Sequence, residues 1–249
     1  MHHPPTKAHF NLSEHLAKEH RQTPFETYLK EIVYGGNDGI VTTFAVVAGF
    51  AGAQASVAGS LPVLTVLLFG FANLFSDGVS MALGNFLSNR SEQDVYKSER
   101  AKEEHEIVHN RDLERQESMQ ILIDRGFSEK QASDLLAIYM TNDAYWVEFM
   151  MNQELELANT QGDNLLLMSL ATFFAFITFG FIPLIPYVFF HGTSLFVMSS
   201  LTTAGALGLL GVLRWKVTGQ NFFRSVVETL LLGGTAAVVA YFVGTLFKI

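Results

Sequence analysis

The sequence predicts an all-α integral membrane protein with five transmembrane helices and a three-helix acidic insert on the cytoplasmic side, between spans two and three. Three observations carry this expectation. Five apolar stretches are long enough to cross a bilayer, which takes about 20 residues of helix. Only 16% of the 249 residues are charged, against about 25% in an ordinary soluble domain. The charge is also unevenly placed: residues 90–163 hold 17 of the 24 acidic and 8 of the 16 basic side chains. That segment therefore carries −9 and the rest of the chain +1. The expected division is an N-terminal cytoplasmic segment (1–37), spans one and two (38–89), the acidic insert (90–163) and spans three to five (164–249).

The N-terminal residues MHHPPTKAHFNLSEHLAKEH contain no apolar run, so they read as a polar cap rather than a secretory signal peptide. Their histidines (His2, His3, His9, His15, His20) read as part of that cap. Spans are expected near 38–58, 61–88, 165–190, 194–213 and 226–247, as helices, because a backbone in lipid must satisfy its own hydrogen bonds. The links between spans one and two and between spans three and four contain no Lys or Arg. The N-terminal segment, the insert and the 214–224 link hold 15 of the 16. By the positive-inside rule those three face the cytoplasm, and Lys248 lies on the far side. Small residues recur within the spans (Gly35/Gly39, Ala48/Gly49/Gly52, Ala204/Gly205/Gly208/Gly211), which allows close approach of helices within or between subunits.

Span two carries Asn73, Asp77, Met81 and Asn85 at four-residue steps, one polar stripe on an apolar helix. A mid-span carboxylate is expensive in lipid, so Asp77 faces either an aqueous path or a neutralising neighbour. Span one opens GGNDGIVTTF. There Asp38 is either a helix N-cap or an oxygen ligand at the mouth of a path, with Met81 as a softer ligand further along. Oxygen plus thioether suits a borderline transition metal. The pair Arg224 and Glu228 reads as an interfacial salt bridge.

With no cysteine in the chain, a metal would be held by carboxylate, imidazole, thioether or water. The insert reads as a long helix over 88–125, a break at Gly126-Phe127-Ser128, a second helix capped by Ser128, and a third from about Asn142 that feeds span three. Glu99, Glu103 and Glu106 repeat on one helical face, as do Glu114 and Glu117. Trp146, Met150 and Glu154 share a face of the third helix, with Met151 beside them. Such faces are often only solvated, but carboxylates on facing helices can also bind divalent ions. Glu106 and His109 form a single E-x-x-H, where a di-iron carboxylate bundle uses two.

The stretches GGNDGIVTTFAVVAGFAGA and DGVSMALG, the Glu-rich helix, and FMMNQELEL followed by FIPLIPY together resemble the vacuolar iron transporter family, from about Tyr28 to the C-terminus. The resemblance implies a homodimer of five-span subunits that exports Fe²⁺ in exchange for protons. It implies Asp38 and Met81 as pathway ligands, and Glu103, Glu106, Glu114, Glu117, Met150, Met151 and Glu154 as ligands in the cytoplasmic domain. This chain departs from the pattern in span two: Asn73 stands where a Glu is expected, and Asp77 follows one turn later where a small residue is common.

The expected function is secondary transport of Fe²⁺, with Mn²⁺, Co²⁺ and Zn²⁺ as further cargo, and not an enzymatic reaction. No Walker A loop is present to couple ATP. No prosthetic cofactor and no nucleic-acid partner are expected; the partners are metal ions, protons and the bilayer. The membrane is a bacterial inner membrane, or a vacuolar one in a eukaryote, with the N-terminus cytoplasmic. Two rival readings are a membrane-anchored, ferritin-like ferroxidase or metal store, and a metal sensor.

Overall fold

The computed structural model describes residues 24–54, 63–192 and 194–247. The histidine-bearing tail, the end of the first expected span with the link after it, and Lys248 lie outside the described residues. Every element among the described residues is helical. After one turn at Pro24–Thr27 come α1 (Leu29–Gln54), α2 (Val63–His109), α3 (Arg111–Asp124), α4 (Glu129–Tyr139) and α5 (Asp143–Gln153). Then follow α6 (Leu165–Phe181), a 3₁₀ turn (Ile182–Leu184), α7 (Ile185–Phe189), α8 (Leu195–Thr218) and α9 (Phe222–Leu246). The chain forms two compact units, one from residues up to 83 together with 167 onward, the other from 84–166.

In the first unit α1 packs along α8 and α9. Backbones meet closely where side chains are missing. A Cβ on Gly180 would stand 2.7 Å from the Gly39 carbonyl oxygen, and one on Gly35 2.6 Å from that of Thr172. Gly49 and Gly244 face each other across α1 and α9. Ile40, Val47, Phe176, Leu184 and Leu210 are completely buried between these helices. The outward residues are equally apolar: on α9, Leu231, Leu232, Val239, Phe242 and Leu246 are all exposed. An apolar belt of that extent suits lipid rather than water.

Among the described residues four helical stretches are long and apolar enough to cross a membrane: α2, Leu165–Phe189, α8 and α9. The first expected span falls in α1, which has 26 residues, but Lys30, Glu31, Asn37 and Asp38 lower the apolarity of its first half. The expected third span is not one regular helix. Pro183 and Pro186 have no N–H to donate, and the chain tightens into the 3₁₀ turn between α6 and α7. Ser199 Oγ, itself buried, donates to the Pro183 carbonyl at 2.7 Å.

The second unit comprises the continuation of α2 from residue 84 with α3, α4 and α5, around Tyr96, Ile107, Leu122, Leu136, Trp146 and Val147. Ser128 caps α4 as expected, in a reciprocal capping box with Gln131. Asn142 caps α5, accepting from the Tyr145 N–H at 3.2 Å. The expected continuous helix over 88–125 is corrected to two helices. Asn110 leaves the helical region at φ −122°, ψ 32°, so the unit has four helical segments where three were expected. No Gly or Pro marks the break. Ile107 before it and Leu122 after it both enter the same core, and this packing overrides local helix propensity.

Candidate metal centre

The break at Asn110 assembles the acidic cluster. In an unbroken helix Glu103 and Glu114 would be eleven residues, roughly 16 Å, apart. Instead Glu103, Glu106 and Glu114 bring carboxylate oxygens within 4.8 Å of one another. Glu114, Glu117 and Glu154 do the same. The two triads share Glu114, so five carboxylates from the end of α2, from α3 and from the C-cap of α5 form one overlapping group.

Glu103 and Glu114 are only 4% and 1% exposed, and one oxygen of each (Oε2) is buried with no hydrogen-bond partner. An unsatisfied buried carboxylate oxygen is costly, and such an atom is free to take a cation. The electrostatics agree. Burial, then repulsion from Glu154 and the other glutamates, pushes the Glu103 carboxyl up to about 7. Burial, then Glu103 and Glu117, pushes Glu114 up to about 8. Glu154 is also raised, by burial and then by Glu117 and Glu106. Without a cation the cluster therefore retains protons near neutrality, whereas ordinary carboxylates titrate near 4 to 5.

Met150 and Met151 are fully buried on α5. The Met150 sulfur accepts a hydrogen bond from Ser118 Oγ at 3.1 Å, and Ser118 Oγ accepts from Trp146 Nε1 at 2.7 Å. Ser118 lies one helical turn beyond Glu114, so the thioether is tethered to the carboxylate-bearing helix. Sequence reasoning missed Ser118, because a serine inside a helix carries no signal of its own. Glu99 stands apart from both triads, with its carboxylate 2.6 Å from Lys102 Nζ. The donors gathered, oxygen with thioether nearby, fit a divalent transition-metal ion.

The candidates of the first unit lie elsewhere. Asp38 sits in the third turn of α1, so the N-cap alternative is excluded; its backbone carbonyl accepts from Thr42 Oγ1 at 2.8 Å. Asp77 lies close enough to Asp38 for the two carboxylates to repel each other. Asn73, Ser76 and Asp77 form the polar lining of an open cavity of about 790 Å³ whose apolar walls come from α1, α2 and α9. Met81 is partly buried against the cluster containing Phe44 and Phe176. Glu228 makes the expected bond to Arg224 (2.8 Å) and a second to Arg214 (3.0 Å).

Comparison with known proteins adds an independent line. Residues 29–245 match the model of the VIT family. The chain is 31% identical to the Vacuolar iron transporter of Toxoplasma gondii, covering 96% of this chain and 82% of that protein. It is 30% identical to Vacuolar iron transporter 1 of Tulipa gesneriana, covering 96% and 94%. It is 32% identical to Vacuolar iron transporter 1 of Arabidopsis thaliana, covering 86% and 83%. With a family match over nearly the whole chain and relatives aligned along most of their own length, this protein belongs to the VIT family.

Proposed function

We propose that this protein is a secondary transporter that moves Fe²⁺, and related divalent ions such as Mn²⁺, Co²⁺ and Zn²⁺, out of the cytoplasm in exchange for protons. The observation that carries this reading is the paired carboxylate triad around Glu114, with two buried, unpartnered oxygens beside tethered methionines. The names of the relatives, each a vacuolar iron transporter, support the same cargo. In this reading the acidic unit collects ions on the cytoplasmic side, and Asp38, Asp77 and Met81 line the route through the membrane. Metal and proton compete for the same carboxylates, which makes a proton gradient the natural driving force. The working assembly is a homodimer. The direct test is Fe²⁺ uptake into proteoliposomes containing the full chain, with and without an acidic lumen.

A metal store is the second reading, favoured by one observation: triads sharing a carboxylate could hold two ions side by side. A store binds ions but moves none, so the same vesicles separate the two.

A further inference from the structure

We propose that His105 and His109 form a second metal site, on the surface of α2, that chelates a late first-row divalent cation through two imidazoles. The two residues are four apart on the helix and both exposed. Their rings lie face to face, with centroids 4.0 Å apart and planes 15° apart. His109 Nδ1 is 2.9 Å from the His105 carbonyl oxygen. A carbonyl can only accept, so Nδ1 carries the proton and the Nε2 lone pair is free. Ligation through Nε2 needs this tautomer, and a backbone carbonyl commonly fixes it in this way.

An ion bound to two nitrogens at about 2.0–2.1 Å in tetrahedral geometry holds them roughly 3.4 Å apart. For both Nε2 lone pairs to converge on one ion the rings must turn out of the stacked arrangement, which two exposed side chains have room to do, and water completes the shell. Nearby cations do not oppose the ion strongly, because Lys102 is held by Glu99 at 2.6 Å and Arg100 by Glu104 at 3.0 Å. The site is distinct from the carboxylate triads: Glu103 on the same helix is buried, whereas both histidines are exposed. Its chemistry differs as well. Imidazole nitrogen favours Ni²⁺, Cu²⁺ and Zn²⁺ over Fe²⁺ and Mn²⁺, so one helix presents a nitrogen site outside and oxygen ligands inside. None of this depends on the transport reading.

The test is calorimetric titration of the purified full-length chain with Ni²⁺. Wild type should bind one Ni²⁺ more than the His105→Ala/His109→Ala double variant. Either single variant should weaken that ion by about tenfold or more, because the chelate is lost. A Glu103→Gln/Glu114→Gln variant should retain it. On the unsubstituted protein with ¹⁵N-labelled histidine, Zn²⁺ should shift Nε2 of both residues, a readout that needs no variant to fold. An unchanged Ni²⁺ stoichiometry and affinity in the double variant, or Nε2 signals of His105 and His109 that Zn²⁺ leaves in place, would overturn the proposal.

Discussion

Glu114 belongs to both carboxylate triads and is the most completely buried of the five glutamates. Its protonation governs what the cluster can do. Both Glu103 and Glu114 have folded-state values above the ordinary 4.5, at about 7 and about 8. A raised carboxyl contributes stability that is complete below its unfolded value and disappears as pH rises through its folded value. The metal-free acidic unit is therefore expected to lose stability progressively between about pH 4.5 and 8, through the group as a coupled set rather than through one residue. A bound cation reverses this, because it takes over the charge that protons neutralise. Co²⁺ affinity of the full chain should accordingly climb steeply from pH 6 to 8, where isolated carboxylates near 4 to 5 would give a flat response. Glu114→Gln should flatten that climb and Glu99→Gln should leave it unchanged. A pH-independent Co²⁺ affinity in this window would remove the buried cluster as the binding centre. The glutamates themselves were legible from their helical spacing. Their raised protonation was not, because it depends on burial that only the folded chain creates.

At the scale of elements, glycine separates two kinds of helix face. A Cβ on Gly180 meets Leu74 Cδ1 at 2.5 Å and the Gly39 carbonyl at 2.7 Å, and the backbone atom cannot give way. A Cβ on Gly208 meets nothing within 4 Å. Gly180→Ala should therefore lower the thermal stability of the detergent-solubilised protein, by an overpacking cost of about 1–3 kcal/mol. Gly208→Ala should be neutral or slightly stabilising, as Ala favours helix over Gly. Equal melting temperatures for the two variants would contradict the packing described here. The small-residue motifs announced close approach but not its direction: Gly35, Gly39, Gly49 and Gly211 face neighbouring helices, while Gly205 and Gly208 face open space. The cap at Ser128 was legible because its side-chain chemistry marks it, whereas Asn142 was read only as the start of the third helix. The break at Asn110 was not, since its side chain makes no capping bond and the core holds the bend.

For the whole molecule, the unequal distribution of charge predicted both the division of the chain and its orientation. Two compact units are found, one of them formed by residues 84–166. Orientation rests on Lys and Arg placement and has its own test. The chain has no cysteine, so single cysteines at Ser133 and His191 should react with an impermeant reagent from opposite faces of sealed vesicles. Labelling of Ser133 from the face opposite the cytoplasm would reverse the assignment of the acidic unit, and labelling of both from one face would remove the crossing at Leu165–Phe189.

In the proposed function, ions bound by this chain also cross the membrane, along a route that includes Asp38 and Asp77. Fe²⁺ flux into proteoliposomes of the full-length protein tests it most directly, with the same preparations assayed for bound metal. Uptake should be faster when the lumen is acidic. Flux should be lost in Asp38→Ala and Asp77→Asn while metal binding by the acidic unit stays at the wild-type level. Undiminished flux in both well-folded variants, or binding without any flux in the wild type, would contradict it.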